Sequence, residues 1–200
     1  VSGLSGAGKG TLMKELVGRY DNYALSISAT TRSPREGELD GREYFFRTKD
    51  EFEQMIADDA LIEHACYVGN YYGTPRAYVE EQLALGKDVI LEIEIQGALQ
   101  IKKRFPDTLL LFVSTPDAET LKNRLIGRGT ESLDVVEKRL SRASEEAEGI
   151  ENYDYFIIND DLDTCVTQVH QIIQGEHSRV SRNLELINTI KKDISKFQKG

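Results

Sequence analysis

Cysteine is nearly absent from this chain. Cys66 and Cys165 are the two it has, and they lie too far apart for a disulfide framework or a zinc site. Two reduced thiols in a cytoplasmic protein are the expectation. Histidine is as sparse, and His64, His170 and His177 form no catalytic arrangement. No apolar run reaches membrane-spanning length, and nothing resembles a secretory signal. Positive charge is also short: 25 Lys and Arg stand against 34 Asp and Glu, a net charge of −9. That balance argues against a general nucleic-acid surface, so cationic groups must be gathered locally wherever an anion binds. Neither nucleic acid nor a membrane is expected as a partner, and monomer or homo-oligomer is left undetermined. What remains is 200 residues, 40% hydrophobic and 30% charged, enough for one globular unit with a sizeable core.

Glycine is abundant where the chain starts. Gly3-Leu4-Ser5-Gly6-Ala7-Gly8-Lys9-Gly10-Thr11 has the spacing of a phosphate-cradling loop, and it runs into the amphipathic segment Lys9 to Tyr20. Such glycines let the backbone turn sharply and aim N–H groups at an anion lying on the positive end of the following helix, while the lysine reaches the outer phosphates. The expected ligand is a nucleoside triphosphate. The hydroxyl residue that normally follows the lysine and binds Mg²⁺ is replaced by Gly10, with Thr11 one place later. Val1 stands almost inside the loop, and further residues are expected ahead of it.

Beyond the loop, hydrophobic periodicity predicts strands at 24–28, 43–46, 61–67, 88–95, 108–113 and 155–158. Helices are predicted at 49–57, 76–85, 98–104, 116–126, 134–148 and 162–174. The order is that of an α/β phosphate-loop fold, a parallel sheet with helices on both faces. The short strands between residues 29 and 80 read as an inserted lobe of mixed sheet. On this reading the core covers about 1–28, 79–123 and 140–174, the lobe about 29–78, a helical lid about 124–139, and a helical tail 175–200. The tail's apolar stripe, Ile187, Ile190, Ile194 and Phe197, is expected to dock on its own domain.

A second anion site is suggested by Ser28-Ala29-Thr30-Thr31-Arg32-Ser33-Pro34-Arg35, where two arginines three residues apart on a Pro-braced loop can converge on one phosphate and the neighbouring hydroxyls add neutral donors. Together with Gly41-Arg42-Glu43-Tyr44, Ile62-Glu63, Gly69-Asn70-Tyr71-Tyr72-Gly73-Thr74, Leu91 to Gly97, Arg124 to Thr130 and Asn159-Asp160-Asp161, these motifs make residues 1 to 174 resemble the guanylate kinases, which phosphorylate GMP with ATP.

The resemblance implies a GMP-binding lobe in which Ser28, Arg32, Arg35, Tyr44 and Tyr72 hold the phosphate while Glu63 and Thr74 read the guanine. It implies that Glu92 and Glu94, where family members often carry aspartates, lie at the GMP and Mg²⁺ site with Glu92 nearest the metal; for the missing hydroxyl, either Thr11 takes part of the role or the metal is held mainly by phosphate oxygens, water and other residues. Arg124, Arg128 and Arg139 would close over the ATP phosphates beside Lys9, and Asn159 would lie near the adenine. A carboxylate and a hydroxyl suit guanine, which offers N1–H and N2–H₂ as donors and O6 as an acceptor. The acceptor phosphate is already an anion, so no general base is required. Three other readings share some of these residues: a kinase for another nucleoside monophosphate, a non-catalytic protein-interaction module built on the same fold, and a nucleic-acid-binding ATPase. Glu63 with Thr74 argues against the first, the intact loop against the second, and the acidic balance against the third.

Overall fold

The computed structural model describes residues 1–67, 69–127 and 133–198. β1 (Ser2–Gly3) feeds the loop and α1 (Lys9–Arg19) leaves it, burying Leu12, Met13 and Leu16. β2 (Tyr23–Leu25) pairs in parallel with β7 (Asp88–Ile90), and β1 pairs in parallel with β8 (Leu111–Ser114), which pairs in parallel with β9 (Tyr155–Ile158). The two groups join where Val1 N donates to Leu91 O and Ile93 N donates to Val1 O. One parallel sheet in the order β2-β7-β1-β8-β9 results.

Helices cover both faces of it. On one, α1 and α7 (Leu162–His177) close a core of Leu12, Met13, Leu16, Val113, Ile157, Cys165, Val166 and Val169. On the other, Val79 of α3 (Arg76–Ala84) and Ile101 of α4 (Ile95–Arg104) pack with Ile62, Val89 and Leu91. α5 (Ala118–Ile126) and α6 (Leu133–Ala147) meet through Leu121, Leu125 and Ala143 beside the loop.

The inserted lobe is a four-stranded sheet in the order β4-β3-β6-β5, from β3 (Ala29–Thr30), β4 (Phe45–Phe46), β5 (Leu61–Tyr67) and β6 (Asn70–Pro75). It is mixed, with β3 and β4 parallel and the other pairs antiparallel. Beneath it lies α2 (Lys49–Ala57), opened by a capping box in which Thr48 and Glu51 satisfy each other's backbone N–H groups. α2 sends in Phe52, fully buried and stacked on Tyr71 at 5.3 Å.

Several expected boundaries move. The alternating run 88–95 reads as one strand, yet β7 ends at Ile90 and α4 begins at Ile95 with Glu94 as its N-cap. α7 runs one turn past Gln174 to His177. The tail forms α8 (Leu184–Ser195), none of whose residues is buried; Ile190, Ile194 and Phe197 are exposed, so the expected docking on the domain is not observed.

Phe52→Ala is expected to lower the urea-unfolding free energy by about 3–5 kcal/mol, the range for emptying a buried aromatic site, without changing ATP affinity. An unchanged urea midpoint would remove Phe52 as the lobe's central packing residue.

Candidate active site

The loop is shaped by two left-handed glycines, Gly6 (φ 97°) and Gly8 (φ 85°). Its carbonyls are occupied: Asn159 Nδ2 donates to Ala7 O at 2.8 Å, and Lys9 Nζ donates to Gly3 O at 2.7 Å and Leu4 O at 3.2 Å. Arg124 of α5 donates to Asn159 O at 2.7 Å and to Ala7 O at 3.5 Å. α1 starts directly behind, with Gly8 as N-cap and no side chain capping its first turn, which leaves that end suited to a ligand anion. Burial pushes the Lys9 ammonium below its ordinary value, against the pull of Glu92, Glu146 and Glu94.

A cleft of about 970 Å³ opens beside the loop, lined by Ser5, Gly6, Arg35, Glu94, Arg139 and Arg142 among others. Another cavity, of about 580 Å³, lies between α4 and the edges of β7 and β8 and is predominantly apolar. The cleft is the one that joins the loop, the lobe and α6.

In the lobe, Thr30 Oγ1 donates to Tyr71 O and Thr31 Oγ1 accepts from Tyr71 N, which fastens the arginine loop to β6. Both hydroxyls were expected as donors to an anion; Thr30 spends its hydrogen on Tyr71 O, whereas Thr31 serves Tyr71 N as an acceptor and keeps its hydrogen for another partner. Arg32 donates to the Glu38 carboxylate at 3.0 Å, and the same carboxylate accepts Arg35 N–H at 2.7 Å. The Arg32 guanidinium also lies 5.2 Å from the centre of the Tyr44 ring, which meets Tyr72 edge-on at 6.1 Å. Burial raises the Tyr44 phenol above its usual value. Ser28 is half-buried at the foot of this loop, its carbonyl accepting Phe45 N–H.

Glu63 and Thr74 face each other from β5 and β6, 5% and 0% exposed, with Thr74 Oγ1 donating to Glu63 Oε1 at 2.7 Å. The single O–H hydrogen of Thr74 is thereby committed to orienting the carboxylate rather than offered to a ligand. Burial raises Glu63 above the usual carboxylate range. Its space comes from another element: a Cβ on Gly97 of α4 would stand 2.5 Å from Glu63 Oε2.

Glu92 lies against the first turn of α1, where a Cβ on Gly10 would be 3.7 Å from Glu92 Oε2; Thr11, in the same turn, is exposed. Among the described residues no three His, Cys, Asp or Glu converge on one point. One carboxylate beside a phosphate site fits Mg²⁺, which keeps several waters and takes further oxygens from phosphates. Glu94 accepts from Arg142 at 3.0 Å, and burial together with Glu146 raises it.

Of the arginines expected over ATP, Arg139 lines the cleft, Arg124 braces the loop's carbonyls, and Arg128 lies outside the described residues. Asn159, expected near the adenine, is 5% exposed with its amide spent on the loop. Sequence reading missed Glu38, Arg142 and Glu146. Glu38 follows Arg35 by three residues in a glycine-containing turn, and Arg142 and Glu146 are an i, i+4 pair, a weak signal in each case.

Parallel strands with helices on both faces, a phosphate loop at their C-terminal ends and an arginine-bearing lobe across a shared cleft define a nucleotide-binding phosphotransferase of the phosphate-loop class. The narrower assignment comes from relatives. The family model for guanylate kinase matches residues 1–176. The guanylate kinase of Lactococcus lactis subsp. lactis (strain IL1403) is 50% identical over 184 residues, 92% of this chain and 90% of that one. That of Bacillus subtilis (strain 168) is 50% identical over 183 residues, 91% and 90% of the two chains. The crystal structure of guanylate kinase from Anaplasma phagocytophilum superposes with a TM-score of 0.73 at 28% identity, covering 90% of this chain and 86% of its own. The chain belongs to the guanylate kinase family.

Two outcomes are expected at Glu63. Gly97→Ala should strengthen α4 by roughly 0.5–1 kcal/mol of helix propensity yet raise the KM for GMP by displacing the carboxylate; an unchanged KM would show that the hollow is not needed. A raised carboxyl binds its proton more tightly in the folded chain, so its stabilising contribution is present in acid and lost as pH rises through the folded value. Glu63→Gln should therefore raise the melting temperature near neutral pH and not in acid, while GMP use falls. A pH-independent change in melting would contradict this.

Proposed function

We infer that this chain transfers the γ-phosphoryl group of ATP to a phosphate oxygen of GMP, giving ADP and GDP, and that the cleft joining the phosphate loop, the lobe and α6 is where transfer occurs. The buried Glu63–Thr74 pair carries the choice of acceptor. An ionised carboxylate held by a neighbouring hydroxyl accepts from N1–H and N2–H₂ of guanine together, whereas adenine sets an acceptor at N1 against it.

Arg32 and Arg35 take the acceptor phosphate, Arg32 exchanging its guanidinium contact to Glu38 for it, with Tyr44, Tyr72 and Ser28 around it. Lys9 and the amides opening α1 hold the β- and γ-phosphates, and Arg139, Arg128 and Arg124 complete the cationic wall. Glu92 and Thr11, with water and phosphate oxygens, would hold Mg²⁺, which would supply charge neutralisation on the triphosphate. Because the nucleophile is an anion, the protein's work is to align two mutually repelling groups, balance charge on the transferred phosphoryl and exclude water. Two of the three histidines are held by other side chains. His170 is stacked on Tyr20 and bonded to Tyr23, and His177 pairs with Asp88.

Coupled ADP release, with GMP, AMP, CMP and UMP offered separately, tests the reading. GMP should be used with a preference over AMP of about 10⁴, and Lys9→Ala should lower turnover by on the order of 10³ with the fold retained. Comparable use of AMP would overturn the guanine assignment, and near-normal turnover of the lysine variant would remove Lys9 from the transfer step.

A further inference from the structure

Residues 139, 142 and 146 share one face of α6, and that face turns toward the phosphate loop. Glu146 Oε2 accepts the Ser5 N–H at 2.7 Å, Glu146 Oε1 accepts Arg142 Nε at 2.9 Å, and Arg142 Nη2 continues to Glu94 Oε2 at 3.0 Å. Three separate elements are thereby linked: the start of the loop, the C-terminal part of α6, and the N-cap of α4. Glu146 and Arg142 are largely withdrawn from water, with side chains 10% and 19% exposed, so their bonds are little screened. Both charges act on the Lys9 ammonium, which places the Arg142 guanidinium in the electrostatic field of the phosphate site.

The loop amide that Glu146 occupies precedes Gly6 and Gly8, whereas the amides suited to phosphate open α1 behind them. The carboxylate therefore anchors the loop without standing on its anion-binding end. It also holds a cation there, since a planar guanidinium fixed at Nε and at one terminal nitrogen has a set direction, unlike a mobile surface arginine.

We propose that Arg142 is an additional phosphate-site cation for phosphoryl transfer and that Glu146 is its positioning residue, fixing both the guanidinium and the start of the phosphate loop. This rests on the cleft being the site of transfer. The cation is presented ready-made beside Lys9, and its two carboxylate partners prevent it from folding onto the empty loop.

Steady-state kinetics of the full chain with ATP and GMP, for Glu146→Gln, Arg142→Ala and the double variant, test the proposal. The glutamine has one acceptor oxygen for two donors, so it can serve Ser5 or Arg142 but not both in the observed arrangement. Each single variant is expected to lose about 10- to 100-fold in kcat, the worth of one charge-assisted contact, with the KM for GMP changed less than about twofold. The double variant should lose no more than the worse single variant, because the two residues act as a unit. A kcat within about twofold of the parent in either single variant would overturn the proposal. So would multiplicative losses in the double variant, or a parallel rise of both KM values with a lowered melting temperature. Glu146→Gln is close in size to the native side chain, and Arg142→Ala still tests the cation if the glutamine variant fails to fold. A parent chain that does not phosphorylate GMP would instead overturn the reading of the cleft, a result separable from any effect of the variants.

Discussion

A phosphate loop works only if its amides are left for the ligand, and in this fold that depends on its carbonyls being held from outside. Asn159 and Arg124 hold Ala7 O, and the Lys9 ammonium holds Gly3 O and Leu4 O. Left-handed backbone at Gly6 and Gly8 gives the loop its turn, but glycine is permissive and does not by itself select one shape. Selection comes from Asn159, which follows β9, and from α5 and α6, each of which places a polar group on the loop. Much of the parallel sheet can be viewed as the frame that brings those groups to one end of β1.

The same economy governs charge. A chain with net charge −9 has few cations to concentrate in one place, and around the loop and the lobe several of them have carboxylate partners. Arg32 has Glu38, Arg142 has Glu94 and Glu146, and Lys9 lies in the field of Glu92. Each pairing lowers the cost of concentrating like charge before substrate arrives and sets a side chain's direction. Substrate phosphates then compete with a carboxylate rather than with bulk water, a feature that favours polyanions over single weak acids.

What could be read from the sequence is what acts locally. The loop's glycines and lysine work through backbone and nearest neighbours, α2 announces itself with Thr48 and Glu51, and the parallel sheet follows from the alternation of elements. The supports of the loop could not be read, because Glu146 and Asn159 reach it from 141 and 152 residues away. The run from Asp88 to Ile95 misled for a related reason. Its alternation is strand-like throughout, but only Asp88–Ile90 finds a pairing partner in β2, and the chain then turns into α4. Tail residues Ile190 and Ile194 carry a helical stripe that predicts a helix correctly and says nothing of what faces it.

Glu63 belongs to the lobe, but the hollow that receives its carboxylate belongs to a core helix at Gly97. Arg104 of that helix also binds Asp59 and Ile62 O of the lobe, so the seam between the two units runs beside the Glu63 carboxylate. The angle between lobe and core and the setting of the Glu63 carboxylate are therefore mechanically linked. If Glu63 reads the base as proposed, a nucleotide that fails to satisfy it would leave the seam short of a contact, and the error would register as misalignment at the phosphates as well as weaker binding.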